Sequence, residues 1–196
     1  MDYGTRSLDQ FLDDIASTAV TPAGGTAAAV VGATGAALCE MVCLHTLERG
    51  ECRADAAAEL RDARADLQEL RTRLMTLGET DASAVDDLLA TLPADDATAE
   101  LKRATGVPLT IAEACLAVVE IGAVVTAHGN ENARPDAVTG RLLAHAAMRA
   151  TAFTARGNLT RIDDQSFVAD VTARLDEIER SAADQSWPEG VSEANA

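Results

Sequence analysis

The chain has 196 residues, enough for one medium domain, and 47% of them are hydrophobic while only 3% are aromatic. The core must therefore be aliphatic, built largely from Ala, Val and Leu, and because Ala and Leu favour helix and Pro is scarce this points to an all-α protein. Thirty-two acidic residues against 16 basic ones give a net charge of −16, with Lys102 the only lysine; this argues against nucleic acid and anionic membranes as partners, because both need basic clusters.

The acidic residues are spread over most segments and the apolar fraction is too high for a disordered chain. That combination predicts a halophilic protein whose acidic surface stays solvated in concentrated salt. The opening "MDYGTRSLDQ" is polar and unlike a secretory leader. The expectation is a cytoplasmic protein in which Cys39, Cys43, Cys52 and Cys115 are reduced thiols. Cys39, Cys43 and His45 lack the usual spacing of a zinc site.

Ser7 and Gln10 form a capping box ahead of a first helix striped by Leu8, Phe11, Leu12 and Ile15. After the connector "AVTPAGG", a second helix is predicted from about Gly25 to Leu47. It is built from Ala, Gly and Val where most helices carry Leu and Phe. Its uncharged run, Ala27 to Cys39, is shorter than the roughly 18 residues a membrane span needs, so a buried core helix is predicted. A long amphipathic segment follows from about Ala54 to Ala90, with Gly78 a point where it kinks or splits. "TLPADD" is a turn, and Asp96 or Thr98 can cap the next helix. That helix covers about Ala97 to Ala127, with Pro108 either kinking it or starting its second half. "AHGNENARPD" separates it from a helix over about Pro135 to Asn158. A last amphipathic helix runs from Gln165 to about Ala183, and "SWPEGVSEANA" reads as a loose tail. The prediction is an all-α bundle of about six to seven helices with a buried Ala/Gly-rich central helix. It forms a single domain over 1–185, with 186–196 flexible.

Three features could carry chemistry. Glycines at a helix start remove Cβ atoms and expose backbone N–H groups at the positive end of the dipole. Asn130, Asn132 and Asp136 gather donors and acceptors in one loop entering a helix. Asp81 sits among small residues just after Gly78. Each has an ordinary structural reading as well: close helix packing, loop and cap chemistry, and a solvated helical carboxylate.

Taken in order, these segments resemble the formiminotransferase-cyclodeaminase carboxy-terminal domain family. "SLDQFLDDIAS" and "TPAGGTAAAVVGATGAALCEMV" are similar to its amino-terminal signature. Pro22, Ala23, Gly24, Gly25 and Thr26 stand for its Pro-Gly-Gly-Gly-Ser run, with one Gly and the Ser replaced. Asp81 to Ala84 matches its Asp-x-x-Ala element. Ala104, Pro108, Leu109, Ala112 and Cys115 match a further segment. Gly129, Asn130 and Asp136 match its Gly-Asn-Asp loop. Asn158, Leu159, Ile162 and Asp163 match the last. Arg134-Pro135 departs from the small residue usual there.

The resemblance implies a folate-dependent one-carbon enzyme, a homodimer, acting on a tetrahydrofolate derivative. No tightly bound cofactor and no metal are required. Both family reactions pass through a carbon bonded to N5 and N10 that also carries a hydroxyl or amino group. Each needs a proton-moving group and a counter-charge for a cationic centre, and a carboxylate supplies both. Asp81 is the catalytic candidate. Gly24, Gly25, Thr26, Asn130 and Asp136 are candidates for binding the pterin, and Lys102 for meeting the anionic glutamate tail. Methenyltetrahydrofolate cyclohydrolase is the leading activity, favoured by a chain with no formiminotransferase attached. Formimidoyltetrahydrofolate cyclodeaminase is the alternative within the class. A non-catalytic helical assembly or binding protein is the alternative outside it, and it predicts Asp81, Asn130 and Gly24 lying apart from any shared cavity.

Overall fold

The computed structural model describes residues 3–50, 52–92, 97–188 and 191. Six α-helices follow a short 3-10 turn at Tyr3–Thr5: α1 (Leu8–Ile15), α2 (Gly24–Arg49), α3 (Ala54–Thr91), α4 (Thr98–His128), α5 (Arg134–Leu159) and α6 (Gln165–Ala183). There is no strand among the described residues. The all-α reading holds. The capping box does too: the Ser7 hydroxyl accepts from the Gln10 N–H at 3.2 Å, and the Gln10 side chain accepts from the Ser7 N–H at 3.1 Å.

Helix α2 packs on α3 and α5, and α4 packs on the same two from the other side. The four helices form the bundle, with α6 laid over α4 and α5. By length and composition alone α2 and α4 could cross a membrane; here they supply much of the shared aliphatic core.

The small residues of α2 have a packing reason. A Cβ on Gly35 would lie 2.5 Å from the Gly140 carbonyl oxygen, and one on Gly32 would lie 2.6 Å from Cys115 Sγ. Only a residue without a side chain lets the α5 backbone approach α2 that closely. Cys39, Cys43 and Cys115 fill core positions as free thiols, and burial pushes Cys39 and Cys115 up to about 12. They behave as small apolar side chains.

Neither Gly78 nor Pro108 divides its helix. Helix α3 runs unbroken through Gly78, which lets α2 come close: a Cβ there would sit 3.3 Å from Ala29 Cβ. Helix α4 runs through Pro108. Pro108 has no N–H for the Ala104 carbonyl, and the Asn158 amide of α5 donates to that carbonyl at 2.9 Å instead. The start of α4 has Ala97 at its cap position and no side-chain cap, so Thr98 is the first helical residue, not a cap; Asp96 lies outside the described residues.

Trp187, read from sequence as part of a loose tail, packs half-buried against the core. The Arg141 guanidinium stacks over its ring at 4.3 Å and donates to the Ser186 carbonyl at 3.0 Å.

Candidate active site

Asp81 is the one buried carboxylate among the described residues, 4% exposed in the third helix. It faces the first turn of α2. That turn has Ala23 at its cap position, with no side chain to satisfy the leading N–H groups. Asp81 approaches the turn from another helix. Its carboxylate accepts from the Thr26 hydroxyl at 3.0 Å.

Gly25 makes the approach possible. A Cβ there would lie 2.5 and 2.6 Å from the two Asp81 oxygens, a distance no real Cβ tolerates. The pair of glycines that opens the helix therefore has a specific cause at its second member. Gly24 is different: a Cβ on it would meet nothing within 4 Å.

Burial raises the Asp81 pKa above the ordinary carboxylate range, and the Thr26 hydrogen bonds hold the rise back. The Thr26 hydroxyl has a second acceptor, the Gly78 carbonyl at 3.2 Å. It has one proton and cannot serve both acceptors fully. With Asp81 ionised, the proton goes to the carboxylate. With Asp81 protonated, the carboxyl can donate to Thr26 and release the hydroxyl to Gly78. The arrangement accepts both protonation states without leaving a polar atom unpaired, which suits a group that loses and regains a proton.

The other candidates lie elsewhere. The Asn130 N–H donates to Thr46 Oγ1 at 2.8 Å, and Asn130 Oδ1 accepts from the Asn132 N–H at 2.8 Å. This turn ties the end of α4 to the end of α2. Gly129 beside it packs so closely that a Cβ would sit 2.8 Å from Val42 Cγ1. Asp136 is exposed in the first turn of α5. Thr26 and Thr46 lie near opposite ends of one helix, about 30 Å apart at 1.5 Å per residue. Within one chain, Gly25, Thr26 and Asp81 come together, and Asn130 and Asp136 do not join them.

Lys102 is engaged at a third place. Its ammonium contacts Asp164 at 2.6 Å and lies 5.5 Å from the centre of the Phe167 ring. Asp164 caps α6 by accepting from the Ser166 and Phe167 N–H groups. Lys102 and these bonds hold its carboxyl well below the usual carboxylate range. The cation that reaches α3 near Asp81 is Arg103, which pairs with Asp87 and approaches Ser83 Oγ at 3.5 Å.

On the Asp81 side, Tyr3 and Phe11 pack with Ala82, their rings meeting edge to face at 5.5 Å. The Thr21 hydroxyl donates to Asp86 at 2.8 Å and anchors the connector that leads into Gly24.

Comparison with known proteins agrees with this organisation. The formiminotransferase-cyclodeaminase family profile matches residues 7–177. The chain belongs to that family. It is 33% identical over 188 residues to the methenyltetrahydrofolate cyclohydrolase of Methylorubrum extorquens, covering 90% of this chain and 88% of that protein. The crystal structure of formiminotetrahydrofolate cyclodeaminase from Thermotoga maritima superposes with a TM-score of 0.87 at 26% identity, covering 91% of this chain and 90% of that one.

Proposed function

We propose that the protein is a methenyltetrahydrofolate cyclohydrolase, with Asp81 as the proton-transfer group. The observation that carries this reading is a buried carboxyl of raised pKa, seated on the glycine-opened start of α2. The similarity to a named cyclohydrolase along most of both chains supports the substrate class.

The methenyl carbon is an electrophile held between N5 and N10, with positive charge shared over both nitrogens. Water adds to that carbon as one of its protons passes to the Asp81 carboxylate. The C–N5 bond then breaks, and the proton held by Asp81 passes to N5. The hydroxyl proton leaves to solvent as the formyl C=O forms on N10. While ionised, Asp81 also offsets the cation that water attacks. Glycine at position 24, where a Cβ would meet nothing within 4 Å, leaves backbone open to a flat ligand. Metal and redox chemistry are not needed for any of these steps.

The reading extends to a homodimer. Val31 is 37% exposed on α2 and Leu38 is half-buried, which leaves an apolar strip on a core helix. A two-fold axis across that strip would run the two α2 helices antiparallel. The Asn130 end of one subunit would then lie beside the Asp81 end of the other. This joins the residues that a single chain separates. Without such pairing they stay apart, as the non-catalytic assembly reading predicts. A cytoplasmic, halophilic protein fits the net charge of −16. Its melting temperature should rise with salt through the molar range as self-repulsion is screened.

The cyclodeaminase in the same family, with a TM-score of 0.87, supports a second reading. There N10 would attack the formimino carbon, and a protonated Asp81 would supply the proton with which ammonia leaves. The test follows both reactions with purified protein in high salt: loss of methenyltetrahydrofolate absorbance, and ammonia release from formiminotetrahydrofolate. Cyclohydrolysis is the expected result. Ammonia release alone would replace it with the second reading, and neither activity would leave the fold without this function.

A further inference from the structure

Across the bundle from Asp81, a cleft of about 680 Å³ opens between α5 and α6. The segment that follows α6 borders it and is fixed there by Trp187, the only tryptophan in the chain. Two side chains of α5 hold the indole. The Arg141 guanidinium, 1% exposed, stacks on the ring at 4.3 Å. It also donates to the Ser186 carbonyl at 3.0 Å and to the Val119 carbonyl of α4 at 3.2 Å. His145, 7% exposed, meets the ring edge to face at 5.6 Å. No carboxylate among the described residues pairs with Arg141, so its buried charge rests on the ring and the two carbonyls.

The position of His145 makes this contact depend on a proton. Residues 141, 145 and 149 follow at i, i+4 spacing on one face of α5, so His145 stands one turn from an arginine on each side. Charging it would line three cations along that face and bring a second cation to an indole that already carries Arg141. Among the described residues, no carboxylate offsets these charges at His145. Helices α4 and α2 meet α5 here with Gly122, Gly35 and Cys39, the last a thiol that burial keeps protonated. Glu179 of α6 borders the cleft but is bound to Arg156 at 2.9 and 3.1 Å, and Asp184 at the end of α6 is exposed. The segment beyond brings Gln185 and Trp187 to the cleft, neither of them charged. Burial first, then Arg149 and Arg141, lowers the His145 pKa below the ordinary histidine value. A histidine shifted down in this way stabilises the packed state through its neutral form. That contribution is present above the ordinary value and is lost as pH falls through the lowered one.

We propose that Arg141, His145 and Trp187 form a pH-sensitive latch: neutral His145 keeps the segment 185–188 docked on α5, and protonated His145 releases it and opens the α5–α6 cleft. The device is independent of the proposed reaction, since none of these residues lies in the Asp81 group.

Trp187 is its own reporter. Acrylamide, an uncharged quencher, is applied to the full chain in constant high salt across the histidine range, with helix content followed by circular dichroism. The quenching constant should about double as pH falls, with a midpoint below about 6.5 and with helix content constant. Proton NMR of the three histidines gives a second reading. His45→Gln and His128→Gln alter exposed residues and assign the His145 signal by elimination. That signal should titrate at the quenching midpoint, and both of these variants should keep the wild-type transition. His145→Gln cannot take the proton and should leave Trp187 equally protected at both ends of the range. Quenching that does not change with pH overturns the proposal. So does a transition accompanied by loss of helix, one that His145→Gln retains, or a His145 signal that titrates at a different pH from the indole.

Discussion

The two ends of α2 carry equally prominent motifs and do different things. At its start, Asp81 is buried, its pKa is raised, and its oxygens press on a position where only glycine fits. At its finish, Asn130 closes a turn over Thr46 and Asp136 sits in water. Both ends look alike in sequence, as Gly, Asn and Asp beside a helix terminus. Burial separates them. A carboxyl shielded from water can be tuned to exchange a proton near its working pH.

The largest expected effect that tests this contrast is at Asp81. Asp81→Asn preserves the shape and one acceptor for Thr26 but removes the proton-transfer group. Turnover should fall by about 10²–10⁴-fold. Stability should move the other way. The folded-state pKa of Asp81 is raised, so its ionisation is disfavoured by folding. Its contribution to stability is fully present below the ordinary carboxylate pKa and is lost as pH rises through the raised value. At neutral pH the Asn variant should therefore melt no lower than wild type, and the wild type should lose stability relative to it as pH rises through the acidic range. Melting curves from pH 3 to pH 8 for both proteins check the sign. A variant that is active, or that is destabilised only at neutral pH, would make Asp81 a plain helix cap.

Next come the two glycines that face different things. Gly25→Ala would drive a Cβ into the Asp81 oxygens, and Gly35→Ala would drive one into the Gly140 carbonyl of α5. Overpacking of this kind costs about 1–3 kcal/mol. Gly35→Ala should show that cost in urea unfolding with turnover per folded molecule retained. Gly25→Ala should lose turnover as well, because Asp81 must swing away. If both variants lose activity in parallel with stability, the start of α2 has no function beyond packing.

These cases also mark what was readable from the sequence. The helices themselves were legible, down to Ser7 with Gln10 and a last helix from Gln165 to Ala183, because caps and apolar periods are local signals. At Gly78 and Pro108 a split was one of two open readings, and neither helix splits. Each breaks a local rule, and each is compensated by a residue distant in sequence. The Gly78 position admits α2, and the carbonyl orphaned by Pro108 is met by Asn158. Of the site, Gly25, Thr26 and Asp81 were legible as separate motifs, and only the packing of α3 on α2 makes them one group. Lys102 was read as a substrate contact and stands in an ion pair with Asp164. Trp187 was read as tail because nothing near it in sequence announces the Arg141 ring contact.

The smallest expected effect is at the far end of α2, and it bears on the assembly. Asn130→Ala removes the oxygen that accepts from the Asn132 N–H and leaves the Asn130 N–H on Thr46 in place. Losing one partly exposed turn hydrogen bond costs about 0.5–1.5 kcal/mol, read as a modest fall in melting temperature. Asp136→Asn, at an exposed position, should stay within about 0.5 kcal/mol of wild type. If each chain works alone, neither substitution reaches Asp81, and turnover stays near wild type in both. If α2 pairs antiparallel across a two-fold axis, the Asn130 loop of one subunit borders the Asp81 of the other, and turnover falls while the melting temperature barely moves. Mixing Asn130→Ala subunits with Asp81→Asn subunits then decides between them. A shared site regains part of its activity, because half of the sites in a mixed dimer inherit both native residues. Separate sites gain nothing beyond the activity that the Asn130→Ala chains already have.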